Sequence, residues 1–280
     1  MTINCNGLLI DLSTPKVMGI VNVTPDSFYD GGRLKDALDV LRQVETMLNE
    51  GATFIDVGGY SSRPNAQEVS IAEELRRVLP ITEALYREFP GILLSIDTFR
   101  STVAEAVLEA GAAMINDISA GHLDPGMLET IAAHQVPYIM MHMRGTPQTM
   151  QQQTDYGDLE QDIIHYFSER LRKIEALKIN DVILDPGFGF SKTTAQNFQL
   201  LNHFDVFQHL GRPLLVGLSR KSMIYKTLDI ASEHALNGTT ALHMIALTKG
   251  ASILRAHDVK EAMECVRLHA CLVPPHDPEH

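Results

Sequence analysis

The chain has 280 residues, 45% of them hydrophobic, enough to bury a large core, and a length that fits one big α/β domain or two ordinary ones. A formal net charge of −12 and a pI near 5.4 exclude the concentrated positive face of a nucleic-acid binder. Three cysteines without CxxC or zinc spacing, a start without a basic region ahead of a long apolar core, and no apolar run approaching a membrane span make the cytosol the expected location.

Short apolar runs recur along the chain, at 17–23 (VMGIVNV), 53–59 (TFIDVGG), 93–98 (LLSIDT), 113–119 (AMINDIS), 137–143 (PYIMMHM), 181–187 (DVILDPG), 213–219 (PLLVGLS) and 252–258 (SILRAHD). They are rich in β-branched residues and nearly continuous rather than alternating, as in a parallel sheet covered by helices. Between them lie segments of helical spacing such as DALDVLRQVETMLNEG, IAEELRRVLPITEALYREF and STVAEAVLEAG, with glycine stop signals at Gly51 and Gly111. Eight strand–helix units in about 250 residues predict a (β/α)₈ TIM barrel. We read one domain over 1–280, with the barrel core at about 17–272, because no low-complexity linker divides the chain.

In such a barrel the C-terminal strand ends converge on one face, where the active site lies. The residues predicted there are Asn22, Asp56, Asp97, Asn116 with Asp117, His142, Asp185, Ser219 with Lys221, and Arg255 with His257. Acids and amides thus face a cationic group from the last two strands, which suits a ligand with a donor-rich end and an anionic end. Asp185, set before two glycines in VILDPGFGF, suits a cation, a metal, or a ring edge carrying two adjacent N–H donors. Two loops rich in Gly, Ser, Asp, Asn and Pro, 22–33 and 58–67, are placed to close over a substrate. Arg33, Arg63, Arg255 and His257 are candidate anion ligands, while GFGFSK lacks the spacing of a nucleotide P-loop.

The stretches NVTPDSFYDGGR, INDIS, MHMRG, ILDPGFGF, GLSRKSMI and ILRAHDVKE, in this order, together resemble the dihydropteroate synthase family of pterin-binding barrels. That resemblance implies condensation of (7,8-dihydropterin-6-yl)methyl diphosphate with p-aminobenzoate to 7,8-dihydropteroate and pyrophosphate, a step of folate biosynthesis imitated by sulfonamides. It implies Mg²⁺ as cofactor, held by Asn22, and a homodimer. It further implies a pterin slot of Asp97, Asn116, Ile118, Met140, Asp185, Phe190, Gly217 and Lys221. Diphosphate binding would fall to Asn22, Arg63, Arg255 and His257, aminobenzoate binding to Phe28, Ser62, Pro64, Phe190, Ser219 and Lys221, and catalysis to Asp97, Lys221 and Arg255. The chain departs from the family at Tyr60, where glutamate is common, at Asn65, where glycine is, and at Ser101, where proline is frequent; serine there is expected to cap the following helix. A related corrinoid methyltransferase would need no diphosphate pocket, and a non-catalytic pterin binder would need no intact anion residues. Asp56 and Asp117 are expected to orient neighbours, and His142 to be either a pocket wall or a satisfied core histidine.

Overall fold

Apolar runs hydrogen-bonded side by side leave one row of side chains for the barrel interior and one for the surrounding helices, and this period of two organises the whole chain. In the computed structural model, residues 1–23, 33–60 and 69–272 are described. A hairpin of β1 (Thr2–Cys5) and β2 (Leu8–Asp11) precedes eight parallel strands, β3 (Lys16–Asn22), β4 (Phe54–Gly58), β5 (Leu94–Asp97), β6 (Met114–Asp117), β7 (Tyr138–Met141), β8 (Val182–Asp185), β9 (Leu215–Val216) and β10 (Ile253–Ala256). The sheet runs β8-β7-β6-β5-β4-β3-β10-β9. Its two ends meet through a single parallel bridge, Leu184 to Leu214, and a Leu184 N–H donated to the Pro213 carbonyl at 2.9 Å. The predicted TIM barrel is therefore present, each strand lying within its proposed run except β3, which begins one residue earlier.

Helices α1 (Arg33–Asn49), α2 (Ile71–Glu88), α3 (Ser101–Glu109), α4 (Met127–His134), α5 (Leu159–Ala176), α6 (Thr194–Asn202), α7 (Ser222–Tyr225), α8 (Leu236–Thr248) and α9 (Val259–Leu272) follow the strands. Their starts are chemically marked: Ser70 accepts the Glu73 N–H, Asp158 the Gln161 N–H, and Thr193 with Gln196 forms a reciprocal capping box. Ser101 does not cap α3, contrary to expectation. Arg100 occupies the cap and Ser101 is the first helical residue, its N–H and hydroxyl both donated to Asp124 at 2.7 and 2.8 Å. Proline suits that first position because the N–H there has no partner within the helix; here Asp124 supplies one.

The outward rows, among them Val17, Val57, Ile96, Ile115, Met140 and Val182, pack against the helices in the main core. The inward rows begin at the bottom with Met18, Phe54, Met114, Ile139, Ile183, Leu215 and Ile253, and this layer is closed by Ile3, Cys5 and Leu12 from the hairpin. The hairpin turns on Asn6-Gly7, both at positive φ (51° and 84°), the two-residue turn whose twist matches the strands it joins. No described helix is long and apolar enough to cross a membrane.

Candidate active site

Continuing each inward row by two residues carries the interior from apolar to charged. Above Phe54 stands Asp56, above Met114 stands Asn116, above Ile183 stands Asp185, and above Ile253 stands Arg255. One level higher come Asn22, Gly58, Asp97, Ile118, Ser219 and His257 at the mouth. Strand alternation thus gathers into one layer groups separated by up to 199 residues in sequence.

Arg255 is the hub. Its Nε donates to Asp56 at 2.6 Å and its Nη2 to Asp97 at 3.0 Å. Asp56, fully buried, also accepts from the Ser95 hydroxyl at 2.6 Å and the Asn116 amide at 3.0 Å. It therefore orients a cation and an amide. Asp117 faces the helices instead, accepting from Ser119, Gly121 and the Tyr138 hydroxyl. Asp97 keeps some exposure (16%), yet burial pushes its carboxyl up to about 7 against the pull of Arg255. Two acids sharing one guanidinium leave the site able to hold positive charge close by.

Across the mouth, Asp185 and Lys221 converge. A Cβ built on Gly217 would lie 4.0 Å from the Asp185 Oδ2 and 3.7 Å from the Lys221 Nζ, so the glycine leaves the floor between them uncovered. Asp185 accepts the Gly187 N–H on its other oxygen at 2.8 Å, and burial raises its pKa while Lys221 opposes that rise. Burial likewise pushes Lys221 down to about 8, against the pull of Asp185. Lys221 donates to the Phe188 carbonyl and lies 4.9 Å from the centre of the Phe190 ring. The glycines of the DPGFGF stretch are required: Gly187 has φ +76°, and a Cβ there would sit 2.1 Å from the His142 carbonyl oxygen.

The wall of the slot corrects one sequence assignment. Met140 is fully buried and points outward into the helix-covered core, whereas Met141, one residue on and of opposite facing, clusters with Ile118, Met143, Met150 and Phe190. Met141, not Met140, is the methionine on the side of the mouth where Ile118 and Phe190 lie. Ser219 lies beside His257: its hydroxyl is 3.0 Å from the His257 Nδ1 and accepts the His257 N–H at 3.1 Å. Asn22 is exposed at the end of β3, its Oδ1 3.9 Å from the Cβ position of Gly58 and the Asp97 Oδ2 3.8 Å from the same point. Phe28, Ser62, Arg63 and Pro64 lie outside the described residues, as does the side chain of Arg33. Tyr60 is buried; its hydroxyl accepts from Gln148 at 3.0 Å, and its ring meets Phe99 edge-on at 5.3 Å.

His142 is a satisfied core histidine. It packs edge-on against Tyr166 at 4.9 Å, and its Nδ1 lies 3.0 Å from the Nζ of Lys192. Lys192 itself escaped the sequence reading, because a lysine following GFGFS reads as a solvated loop residue; it is 4% exposed.

A parallel barrel whose mouth sets buried acids and an amide beside Lys221, Arg255 and His257 has the form of an enzyme site for a small polar substrate. Residues 18–257 match the family described as "Pterin binding enzyme". The dihydropteroate synthase of Escherichia coli (strain K12) is 44% identical over 270 residues, covering 96% of this chain and 95% of that one. The Yersinia pestis dihydropteroate synthase, solved with a sulfonamide drug, superposes with a TM-score of 0.91 at 44% identity, covering 97% of this chain and 99% of that one. The Xanthomonas albilineans dihydropteroate synthase, solved with 4-aminobenzoic acid, superposes with a TM-score of 0.90 at 39% identity, covering 98% and 99%. The chain belongs to the pterin-binding enzymes and, among them, to the dihydropteroate synthase family.

Proposed function

We propose that this chain condenses (7,8-dihydropterin-6-yl)methyl diphosphate with p-aminobenzoate, giving 7,8-dihydropteroate and pyrophosphate in folate biosynthesis, and that sulfonamides compete for its aminobenzoate subsite. The observation that carries this reading is the pairing of Asp185 and Lys221 across Gly217, next to a pole held by Arg255 and His257. Asp185 accepts the parallel 2-amino and N3–H donors of the pterin edge. Lys221 donates to its carbonyl and ring-nitrogen side, Asn116 reads a further part of the edge, and Ile118, Met141 and Phe190 flank the ring. Arg255, with two N–H groups tied to Asp56 and Asp97, turns the rest of its guanidinium to the diphosphate beside His257. The C–O bond to the diphosphate breaks, and Asp97 lies near the positive charge that grows on the methylene. The aniline nitrogen forms the new C–N bond, and its proton passes to solvent. No enzyme nucleophile is needed.

Mg²⁺ fits the residues in one respect: Asn22 offers a hard, exposed amide oxygen at the mouth, and Mg²⁺ commonly takes few protein ligands. Among the described residues no group of three His, Cys, Asp or Glu could hold a metal, so waters and diphosphate oxygens would complete the shell. When bound, the ion neutralises charge on the departing pyrophosphate. Exposed Ile245, Leu268 and Leu272 on α8 and α9 support a homodimer through the late helices, and three free thiols fit the reducing cytosol.

The test is formation of pyrophosphate and dihydropteroate by the purified protein from the pterin diphosphate and Mg²⁺, with and without p-aminobenzoate. Both products in equal amounts, only when the amine is present, are expected. Tight pterin binding without product would overturn the transferase in favour of a pterin-binding protein.

A further inference from the structure

Among the described residues, Lys192 is the one buried lysine in the barrel mouth that the reaction above does not use. Its ammonium has three N–H groups, and three acceptors surround it: the His142 Nδ1 at 3.0 Å, the Gly187 carbonyl at 3.0 Å and the Phe190 carbonyl at 3.1 Å. An ammonium donating to the Nδ1 places the neutral imidazole's own proton on Nε2. The three contacts tie the loop after β8 to the residue that follows β7. Gly187 gives its N–H to the Asp185 carboxylate, Phe190 supplies a wall of the proposed slot, and His142 follows β7, its N–H donated to the Asp185 carbonyl at 2.9 Å. A second tie, the Arg144 N–H to the Ser191 hydroxyl at 2.7 Å, holds the same loop to the chain after β7.

We propose that Lys192 is a positioning residue for the pterin slot: its ammonium clamps the Gly187 and Phe190 carbonyls to His142, setting the distance between the Asp185 carboxylate and the Phe190 ring, and it places a positive charge behind Asp185. This inference rests on the assignment of Asp185 to the pterin. The charged groups around the clamp are Asp185 on β8, Lys221 after β9, and Arg144 after β7; burial, the largest effect, with Lys221 and Arg144 holds the Lys192 pKa well below the ordinary lysine value, and Asp185 with the three acceptors favours the charged form. Lys192 in turn lowers the Asp185 pKa, behind the stronger effect of Lys221. A lysine that only stabilised the fold would leave pterin affinity at neutral pH untouched. A positioning lysine must alter the pH at which the slot accepts its ligand.

The experiment compares the wild type, Lys192→Met and Lys192→Arg for binding of 6-hydroxymethyl-7,8-dihydropterin between pH 5 and 9 (a range of about four units spanning the ordinary histidine value), with thermal unfolding in parallel. Lys192→Met should weaken binding about ten-fold or more at neutral pH, the scale of one hydrogen bond to a charged group. It should also move the acid limb of binding to higher pH, because Asp185 loses a cationic neighbour. Lys192→Arg should restore the position of the acid limb. If Lys192→Met does not fold, His142→Leu removes one of the three contacts and should weaken binding in the same direction by a smaller factor. A folded Lys192→Met with wild-type affinity and an unmoved acid limb would overturn the inference, as would a fall in melting temperature alone. Failure of the wild type to bind the pterin would instead overturn the proposed function.

Discussion

Asp185 illustrates how one side chain can be both costly to bury and necessary. Its carboxyl is raised by burial, with Lys221 and the Gly187 N–H as its principal compensation, so it has acceptor capacity left for the pair of N–H donors that the proposed pterin role requires. Asp185→Asn presents a donor where an acceptor is needed, and pterin affinity should fall on the order of 100-fold, two charge-assisted hydrogen bonds being lost. Since the raised carboxyl accepts a proton at a higher pH than a free one, wild-type affinity should weaken on acidification sooner than an ordinary aspartate would dictate. Calorimetric titration of the pterin against both proteins across pH checks the pair, and an Asn variant with intact affinity would remove Asp185 from the slot. Arg255 is the converse case, a cation whose loss strands two acids. Arg255→Ala should reduce binding of the diphosphate substrate far more than that of the bare pterin alcohol. Because Asp56 is fully buried, it should also destabilise the fold by about 3–5 kcal/mol. Equal losses for the two ligands, or an unchanged urea midpoint, would contradict that reading of the hub.

At the scale of elements, α8 carries a group with no stated job. His243 is buried on the sheet-facing side, neither ring nitrogen has a hydrogen-bond partner among the described residues, and burial pushes its pKa down to about 4, with Asp258 pulling weakly the other way. The folded-state value lies below the ordinary 6.5, so the unfolded chain takes a proton that the folded chain refuses. The contribution is therefore whole above pH 6.5 and lost as pH falls through about 4, a decline of roughly 3 kcal/mol. His243→Leu should remove that decline and add about 1 kcal/mol at pH 7, where a buried polar group without a partner is replaced. Urea unfolding at several pH values measures both, and an unchanged acid slope would show that His243 is hydrated in the fold. Elements also explain what sequence could reveal. The strands were legible because runs such as VIL (182–184) and YIMM (138–141) are apolar on both faces, and the polar residue closing each run marked the mouth. The N-terminal hairpin was missed although Asn6-Gly7 is the strongest two-residue turn signal, because each strand has only four residues and a single buried side. The sequence does not separate Met140 from Met141, because a continuous apolar run conceals which face a residue takes and only pairing in the sheet decides it. Lys192 was invisible for a different reason: its burial depends on His142, fifty residues away.

For the whole molecule the barrel's one thin seam matters most. Strands β3 to β8 pair over three to five register positions with each neighbour, and β9 pairs with β10 over two, while β8 and β9 share the single Leu184 to Leu214 bridge. Local opening follows the scarcity of such bonds, so the barrel should open first between β8 and β9. The proposed pterin slot spans that same seam, with Asp185 ending β8 and Gly217 and Lys221 following β9. A ring gripped by both sides adds hydrogen bonds across the gap, and any ligand bound only by the closed barrel raises the free energy of opening in proportion to its affinity and concentration. Pterin at about 100 times its dissociation constant should stabilise the closed seam by roughly 2.7 kcal/mol, slowing exchange of the Leu184, Leu215 and Val216 amides by about 100-fold where that opening limits them. Amides of Val57 and Ile96, in the densely paired β4 and β5, exchange through larger openings and should gain no more than this. Hydrogen exchange with and without pterin, read strand by strand, distinguishes the cases. Preferential protection of β8 and β9 would mean that the ligand closes the barrel as it binds, whereas equal slowing of every strand would mean that the seam is as secure as the rest and that the slot is formed before the pterin arrives.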